Sequence, residues 1–470
     1  MKKIMITVSE GSISRNILRS FLLDLLLKDE QVFLYLLVPA DKADFYAREF
    51  GRERIKVLPI SPLPQGFFGR LMIFLSGSGL KTETVFTDQE RRYRRGGGFL
   101  SFAAKRVFAF LFGSSRIMHL LIRRLAGQRR PDAVVTRIFR EVRPDVLFAT
   151  DILEDADLHA IAAGRAVGCA VVGMARSWDN LGSRLVVAVP DALAVWNQYL
   201  ARMAAAVQHL PENIIKIVGI PHYDWYVKKD ILAPRRDFLA EFGAAPEKKI
   251  ILFCGIGTEY APREAEVAEI LSRAIEAGDI DGNTAIIFRP HPGLSADAER
   301  ISSLPHVFFD HTVATREQAG LRGEQAHLRP SGFGGQARDM SWEKESGAIA
   351  RLVNSLYHAD VVVSIASSIT IDAVAFGKPV VCIGFDGYHQ EEPAFSLAEV
   401  YRNHTHYKDL SRTGGFKIAY SAGDLIRYIN QYRADPGMDA EGRKKIFSEF
   451  IGFLDGKSSE RLSEVILAHL

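Results

Sequence analysis

The stretch VVVSIASSITIDAVAFGKPVVCIGFDG (Val361–Gly387) decides how the chain folds. Its β-branched apolar opening reads as a strand buried on both faces. Ser367 and Ser368 follow, then a short helical pattern that Gly377 ends and Pro379 prevents from continuing. A second apolar run comes next, so the whole is a strand–helix–strand unit of a parallel sheet. The paired hydroxyls are suited to the start of the helix, where they accept from backbone N–H groups that lack a helical partner. Those N–H groups also favour a bound anion, so this turn reads as a seat for a phosphate. Asp372 lies four residues after Ser368, one turn deeper on the same face, where a carboxylate can accept from sugar hydroxyls.

Outward from this stretch the same alternation continues in both directions. Strand patterns fall at 3–8, 32–38, 55–60, 146–150, 170–175, 192–196 and 215–220, then at 249–255, 284–290, 306–310, 360–365, 379–384 and 417–421. Helical patterns lie between them, for example over 14–29 and 155–168. This is α/β architecture with two parallel sheets. The polar, proline-containing stretch 226–249 reads as a linker followed by one helix. The expected division is therefore an N-terminal domain over 1–234, a C-terminal domain over 235–430 and a helical tail over 431–470. Two regions break the pattern: a strand-poor insertion at about 61–130 and a polar, glycine-rich loop at 311–347.

Composition narrows the class. Of 470 residues, 47% are apolar and 24% charged, the balance of an ordinary globular protein. The net charge of +3 identifies no partner, but 91–130 interleaves arginine clusters with Phe, Leu and Ile. Such a pattern predicts an amphipathic surface for anionic membrane, and its phenylalanines are not spaced as strand-borne stacking platforms for nucleic acid. The three cysteines, Cys169, Cys254 and Cys382, each lie in an apolar run, which argues against a disulfide framework or zinc site and fits a reducing compartment. The opening MKKIMITVSEGS reads as a first strand, and no run reaches the ~20 apolar residues of a membrane span. The expected location is cytoplasmic, with peripheral attachment at the inner face of the plasma membrane.

A second anion-receptive strand end stands at IIFRPHPG (286–293). Its prolines hold Arg289 and His291 rigidly at the carboxyl end of a buried strand, where open α/β sheets bind ligands. Both side chains can donate to phosphate oxygens.

The order strand–RPHP, then strand–ASS–helix–DAVAFGKPVV, resembles the C-terminal half of GT-B fold glycosyltransferases. It is especially similar to CDP-glycerol glycerophosphotransferase-like and related transferases of bacterial surface-polysaccharide synthesis. The resemblance covers about 140–435 and leaves the basic insertion unexplained. It implies two Rossmann-like domains with parallel sheets facing across a cleft, and a C-terminal helix packing back on the N-terminal domain. It implies that His291, Ser367 and Ser368 grip the donor diphosphate and that Asp372 contacts the donor ribose, one methylene shorter than the family's Glu; Arg289 and Ile369 are expected to bind the donor beside them. Retaining members carry a further Glu eight residues earlier, where this chain has Ser364, so inversion is expected.

In the N-terminal half, ARSWDNLGSR (175–184) follows a strand and offers Arg176, Trp178, Asp179 and Asn180 at its end. Relatives have Trp-His-Gly-Thr there with His as the base, so Asp179 is the matching catalytic candidate, with Arg176 beside it. Gly11 and Ser12 in SEGSISRN (9–16) are expected on the acceptor side. Asp151 in DILEDAD (151–157), with Glu154 and Asp155, is a rival to Asp179. Pro221, His222 and Asp224 in GIPHYDWY (219–226) read as structural. Asp386, His404 and His406 are further candidates, the two histidines lying two apart as on one face of an extended segment. They lack the acidic or cysteine partner that a metal centre needs, so no metal is expected.

The resulting expectation is a metal-independent glycosyltransferase without a cofactor. It would move a sugar or polyol phosphate from a CDP- or UDP-activated donor to a glycan or lipid-linked acceptor. One alternative is a UDP-sugar 2-epimerase, against which the acidic Gly-Gly-x-x-Glu-Glu helix start is replaced here by ASSITID. Another is a non-catalytic nucleotide-sugar-binding or membrane-scaffolding protein.

Overall fold

The computed structural model describes residues 1–9, 11–61, 63, 66–258, 260–291, 294, 296–313, 347–365, 367–389 and 396–470. Most of the glycine-rich loop 311–347 lies outside the described residues. The chain forms two compact units. The first comprises Met1–Val227 together with Gly452–Leu470, and the second the described residues from Lys228 to Ile451.

The first unit is built on β1 (Lys2–Thr7), β2 (Val32–Pro39), β3 (Ile55–Ile60), β4 (Val146–Ala149), β5 (Ala170–Met174), β6 (Ala192–Val195) and β7 (Ile215–Ile217). They pair in parallel in the order β3-β2-β1-β4-β5-β6-β7. The second unit carries β8 (Lys249–Cys254), β9 (Thr284–Arg289), β10 (Val307–Phe309), β11 (Val361–Ser364), β12 (Val380–Ile383) and β13 (Lys417–Ala419), parallel in the order β10-β9-β8-β11-β12-β13. Ile4, Met5, Ile6, Phe253 and Phe288 on these strands are fully buried, because helices cover both faces of a parallel sheet. In each unit the chain adds strands to one side, returns, and continues on the other. Strand order therefore reverses between β1 and β4 and again between β8 and β11.

The helical pattern at 14–29 is broken rather than continuous, into Gly11–Ile13, Ser14–Leu18 and Leu22–Leu26. Ser20 is the local cause: its hydroxyl donates to the Ile17 carbonyl at 2.6 Å and accepts from Leu22 N–H at 3.3 Å, competing with the helical ladder.

The insertion forms four helices, Phe67–Ser78, Glu83–Arg94, Phe99–Phe112 and Arg116–Ala126. Leu80, Val85, Ala109 and Ile122 from this region share a small core with Leu185 and Val187. His119 pins it. Its Nε2–H donates to the Gly79 carbonyl at 2.8 Å, which leaves Nδ1 to accept from His209 Nδ1–H at 3.1 Å. Burial first, with the neighbouring His209 and Arg123, lowers the His119 pKa to about 4.

The tail closes on the first unit. The helix Ser458–Leu467 starts on Asp224, whose two carboxylate oxygens accept from Ser458 and Ser459 N–H at 2.8 and 2.7 Å, all buried. Gly219 has φ of +90° and a Cβ there would collide with Ser458 Oγ, so the approach demands glycine.

Asp224→Ala removes two charge-assisted hydrogen bonds and leaves two buried donors unpaired, so urea denaturation should show a loss of about 2–4 kcal/mol, with Asp224→Asn losing less. Acidification should also destabilise the protein. An unfolded histidine titrates near 6.5, so the unfolded chain takes up the His119 proton first, and stability present above pH ~6.5 is lost as pH falls toward 4. The loss from this group is at most on the order of 3 kcal/mol, and His119→Gln should flatten the fall of Tm over that range.

Candidate active site at the strand-order reversals

In open α/β sheets the loops on either side of the reversal diverge, and the crevice between them at the carboxyl ends is where ligands bind. In the second unit, β8 lies between β9 and β11. Cys254 at its end pairs laterally with Arg289 on one side and with Ser364 on the other. The RPHP and Ser-Ser tips therefore flank a single strand, roughly 10 Å apart, two strand spacings. Burial pushes the Cys254 thiol up to about 12, with Asp372 and Asp310 adding to the rise and Arg289 opposing it. Arg289, Asp372 and Asp310 thus gather around the end of β8.

Arg289 differs from the free phosphate donor expected of it. Its Nη1 is 2.7 Å from Asp310 Oδ2 in an ion pair buried on both sides, and Arg351 approaches the other Asp310 oxygen at 3.4 Å. A role toward an anion would be shared with this structural one. His291 follows it, half-buried, and its carbonyl accepts from Leu294 N–H.

The serine tip also differs in detail. Ser368 occupies the N-cap position of the helix Ile369–Ala375 without a capping side-chain bond and is exposed. Ser367 Oγ instead accepts from Ile369 N–H at 3.3 Å. The helix is only seven residues long, so its hydroxyls and first amides matter more here than its dipole. Asp372 is buried in its first turn. Ser364 is held in the core by Thr370 Oγ1 at 3.0 Å.

Asp386 is buried in the loop after β12, part of which (390–395) lies outside the described residues. His404 and His406 do not share an extended segment. His404 joins the helices Leu397–Asn403 and Thr405–Ser411, and His406 sits inside the second. Their rings are 5.5 Å apart and both are buried. Among the described residues no three His, Cys, Asp or Glu side chains cluster as metal ligands.

Sequence reading missed two residues at this edge, both in the first turn of the helix Glu264–Glu276. Glu264 Oε2 accepts from Ile256 and Gly257 N–H at 3.0 and 3.1 Å, bracing the turn after β8. Glu266 accepts from Tyr388 N–H at 2.9 Å and lies 3.4 Å from His389, which ties down the loop after β12. The available signal was Gly-Ile-Gly directly after a buried strand, followed by REAE.

In the first unit, the β1 and β4 ends are sewn together. Thr150 N–H donates to Thr7 Oγ1 at 3.0 Å, and Thr150 Oγ1 donates to the Thr7 carbonyl at 2.8 Å. Thr7 Oγ1 in turn donates to Asp157, which is fully buried. Burial, helped by Asp151 and Glu154, raises the Asp157 pKa well above the usual carboxylate range. Arg176 Nη1 lies 3.3 Å from Asp151 Oδ2, joining the ends of β4 and β5. Asp155 is engaged by Arg129 at 2.6 Å. Trp178 is buried, whereas Asp179 and Asn180 are half-buried at the turn Asn180–Gly182. Gly11 and Ser12 are buried in the helical turn that follows β1. Among the described residues, Ser9, Ser12 and Ser14 Oγ, Asn180 Oδ1, Trp196 Nε1 and His222 Nδ1 are buried without a hydrogen-bond partner. Such groups are uncommon in folded proteins; others occur elsewhere, as at Ser78, Gln89 and Ser459, but these six belong to segments that follow the carboxyl ends of β1, β5, β6 and β7.

Two such doubly wound parallel units define the GT-B fold. Solved structures bear this out. A putative UDP-N-acetylglucosamine 2-epimerase from Listeria monocytogenes is similar at TM-score 0.54 and 12% identity, over 100% of this chain and 97% of that one. A Neisseria meningitidis UDP-GlcNAc 2-epimerase bound to UDP-GlcNAc follows at 0.52 and 12%, over 100% of both. A glycosyltransferase from Rickettsia africae gives 0.51 and 10%, over 99% and 98%. What is shared at such identities is the fold. No family model matches the chain, and no curated protein matches it.

Arg289→Ala leaves Asp310 buried with its principal counter-charge gone, so a loss of about 3–5 kcal/mol in chemical denaturation is expected. Ser368→Ala, at an exposed position, should leave stability within ~0.5 kcal/mol of the wild type.

Proposed function

We propose that the chain is a glycosyltransferase of bacterial surface-polysaccharide synthesis. It takes a sugar or polyol phosphate from a CDP- or UDP-activated donor and passes it to a hydroxyl of a glycan or lipid-linked acceptor. The observation that carries this reading is the convergence of Arg289 and Asp372 on the end of β8, with the His291 and Ser367–Ser368 tips on either side. In this scheme His291 and the serine hydroxyls donate to the diphosphate, Arg289 adds positive charge from behind, and Asp372 accepts from the donor ribose. Hydrogen bonds and a cation at the leaving group do the work that a metal does elsewhere. Asp179 takes the proton of the acceptor hydroxyl as its oxygen bonds to the donor carbon. The bond from that carbon to the diphosphate breaks, which inverts the centre. For a polyol phosphate the attack is at the polyol-bearing phosphorus, whose bond to the bridging oxygen breaks to release the nucleoside monophosphate, with the same proton acceptor.

A second reading, UDP-sugar 2-epimerase, is favoured by the predominance of UDP-GlcNAc 2-epimerases among the similar structures. It needs no acceptor and yields an epimerised sugar from the donor alone.

Purified protein offered a panel of CDP-, UDP- and GDP-sugars should release nucleotide from one class and release it faster with acceptor. Epimer formation without acceptor would select the second reading. His291→Ala should weaken donor binding by about 10- to 100-fold at unchanged Tm, the worth of a charge-assisted hydrogen bond. Wild-type affinity in that variant would reject the donor site. Asp179→Asn should lower kcat by about 10²–10⁴ while donor Kd is kept.

A further inference from the structure

The insertion has a side that the rest of the fold does not use. Its inner face is satisfied: Ala109 and Ile122 pack with Leu185 and Val187, and His119 is pinned to Gly79 and His209. Its outer face is apolar. Among the described residues nineteen large hydrophobic side chains are exposed, and twelve of them fall between Phe67 and Leu121. On the helix Phe99–Phe112, Leu100, Val107 and Leu111 stand at i, i+7 and i+11, so they form one stripe, and Leu100 is 83% exposed. On Arg116–Ala126, Ile117, Leu120 and Leu121 form a second, with Ile117 at 73%. A helix that folds against a core normally turns such a stripe inward.

The charges within this segment are of one sign. Residues 91–130 contain eleven Arg or Lys and no Asp or Glu, although the whole chain is only +3, so the remainder is net negative by eight. Arg92, Arg95, Arg116, Arg124 and Arg130 are exposed. A bilayer with anionic headgroups meets both features at once, since arginines reach phosphate at the depth where phenylalanine and leucine enter the acyl boundary.

We propose that the outer face of the helices Phe99–Phe112 and Arg116–Ala126 is a docking surface for anionic lipid bilayer. The helices lie in the interface plane rather than crossing it, as no described helix is long and apolar enough to span. The proposal is independent of the transferase reading, because it concerns where the protein sits and not what it catalyses.

The test is sedimentation of the full chain with vesicles of phosphatidylcholine alone or mixed with phosphatidylglycerol, in low and high salt. The wild type should partition at least ~10-fold more into the anionic vesicles, and salt should weaken it. Leu100→Ser/Val107→Ser/Leu111→Ser and Arg92→Gln/Arg116→Gln/Arg124→Gln should each lose about 10-fold or more at unchanged Tm, since all six side chains are exposed. Absence of wild-type binding to anionic vesicles at low salt would overturn the proposal. So would unchanged binding by the serine triple. A concentration-dependent dimer in sedimentation velocity that the serine triple abolishes would reassign the face to self-association and equally overturn it.

Discussion

The proposed catalytic site depends on the reversal of strand order within each parallel sheet. Parallel strands need crossover connections, and a right-handed crossover places successive helices on one face until the chain returns to the middle. Where it returns, two neighbouring strands send their loops to opposite faces, and a gap opens that no side chain of the sheet itself fills. The ends of β8 and β11 form one such place, and those of β1 and β4 the other. The chemistry-bearing residues stand along these edges because the backbone there is the part of the sheet that is free to vary.

Much of this was legible in the amino acids. Strands covered on both faces must be apolar throughout, so runs such as VVVS and KIILFC announce themselves without alternation. The strand tips were legible too, because proline and paired serine are informative at strand ends. Their pairwise chemistry was not. Asp310 lies 21 residues beyond Arg289, and nothing local shows that a residue just past the end of the neighbouring β10 will engage the guanidinium. The same holds for Glu264, whose role is defined by amides eight and seven residues earlier in a turn that only the fold closes. His404 and His406 misled because a two-residue spacing was read on an extended backbone, whereas a helix starts between them. In each case the missing information was which side chain across the sheet or across a turn would arrive first.

The two edges differ in electrostatics. At the end of β8, a buried thiol lies beside the Arg289–Asp310 ion pair. After the end of β4, Asp151, Glu154 and Asp157 lie close together, and burial raises the pKa of the innermost, Asp157, which accepts from Thr7. Burial disfavours a third negative charge there next to Asp151 and Glu154, which Arg176 and Arg184 approach. The same principle is at work in His119 and His222, both kept uncharged by burial.

The capping of Ser458 and Ser459 by Asp224 has an implication for biogenesis. The first unit is discontinuous in the chain, with the whole second unit threaded between Val227 and Gly452. During translation its seven-stranded sheet emerges early, yet the helix that seals it emerges only after the second sheet has been made. Until then the carboxylate of Asp224 has no helix amides to receive. The nascent chain must therefore carry an unsealed apolar flank through the synthesis of its own insert, a period in which chaperone protection matters most.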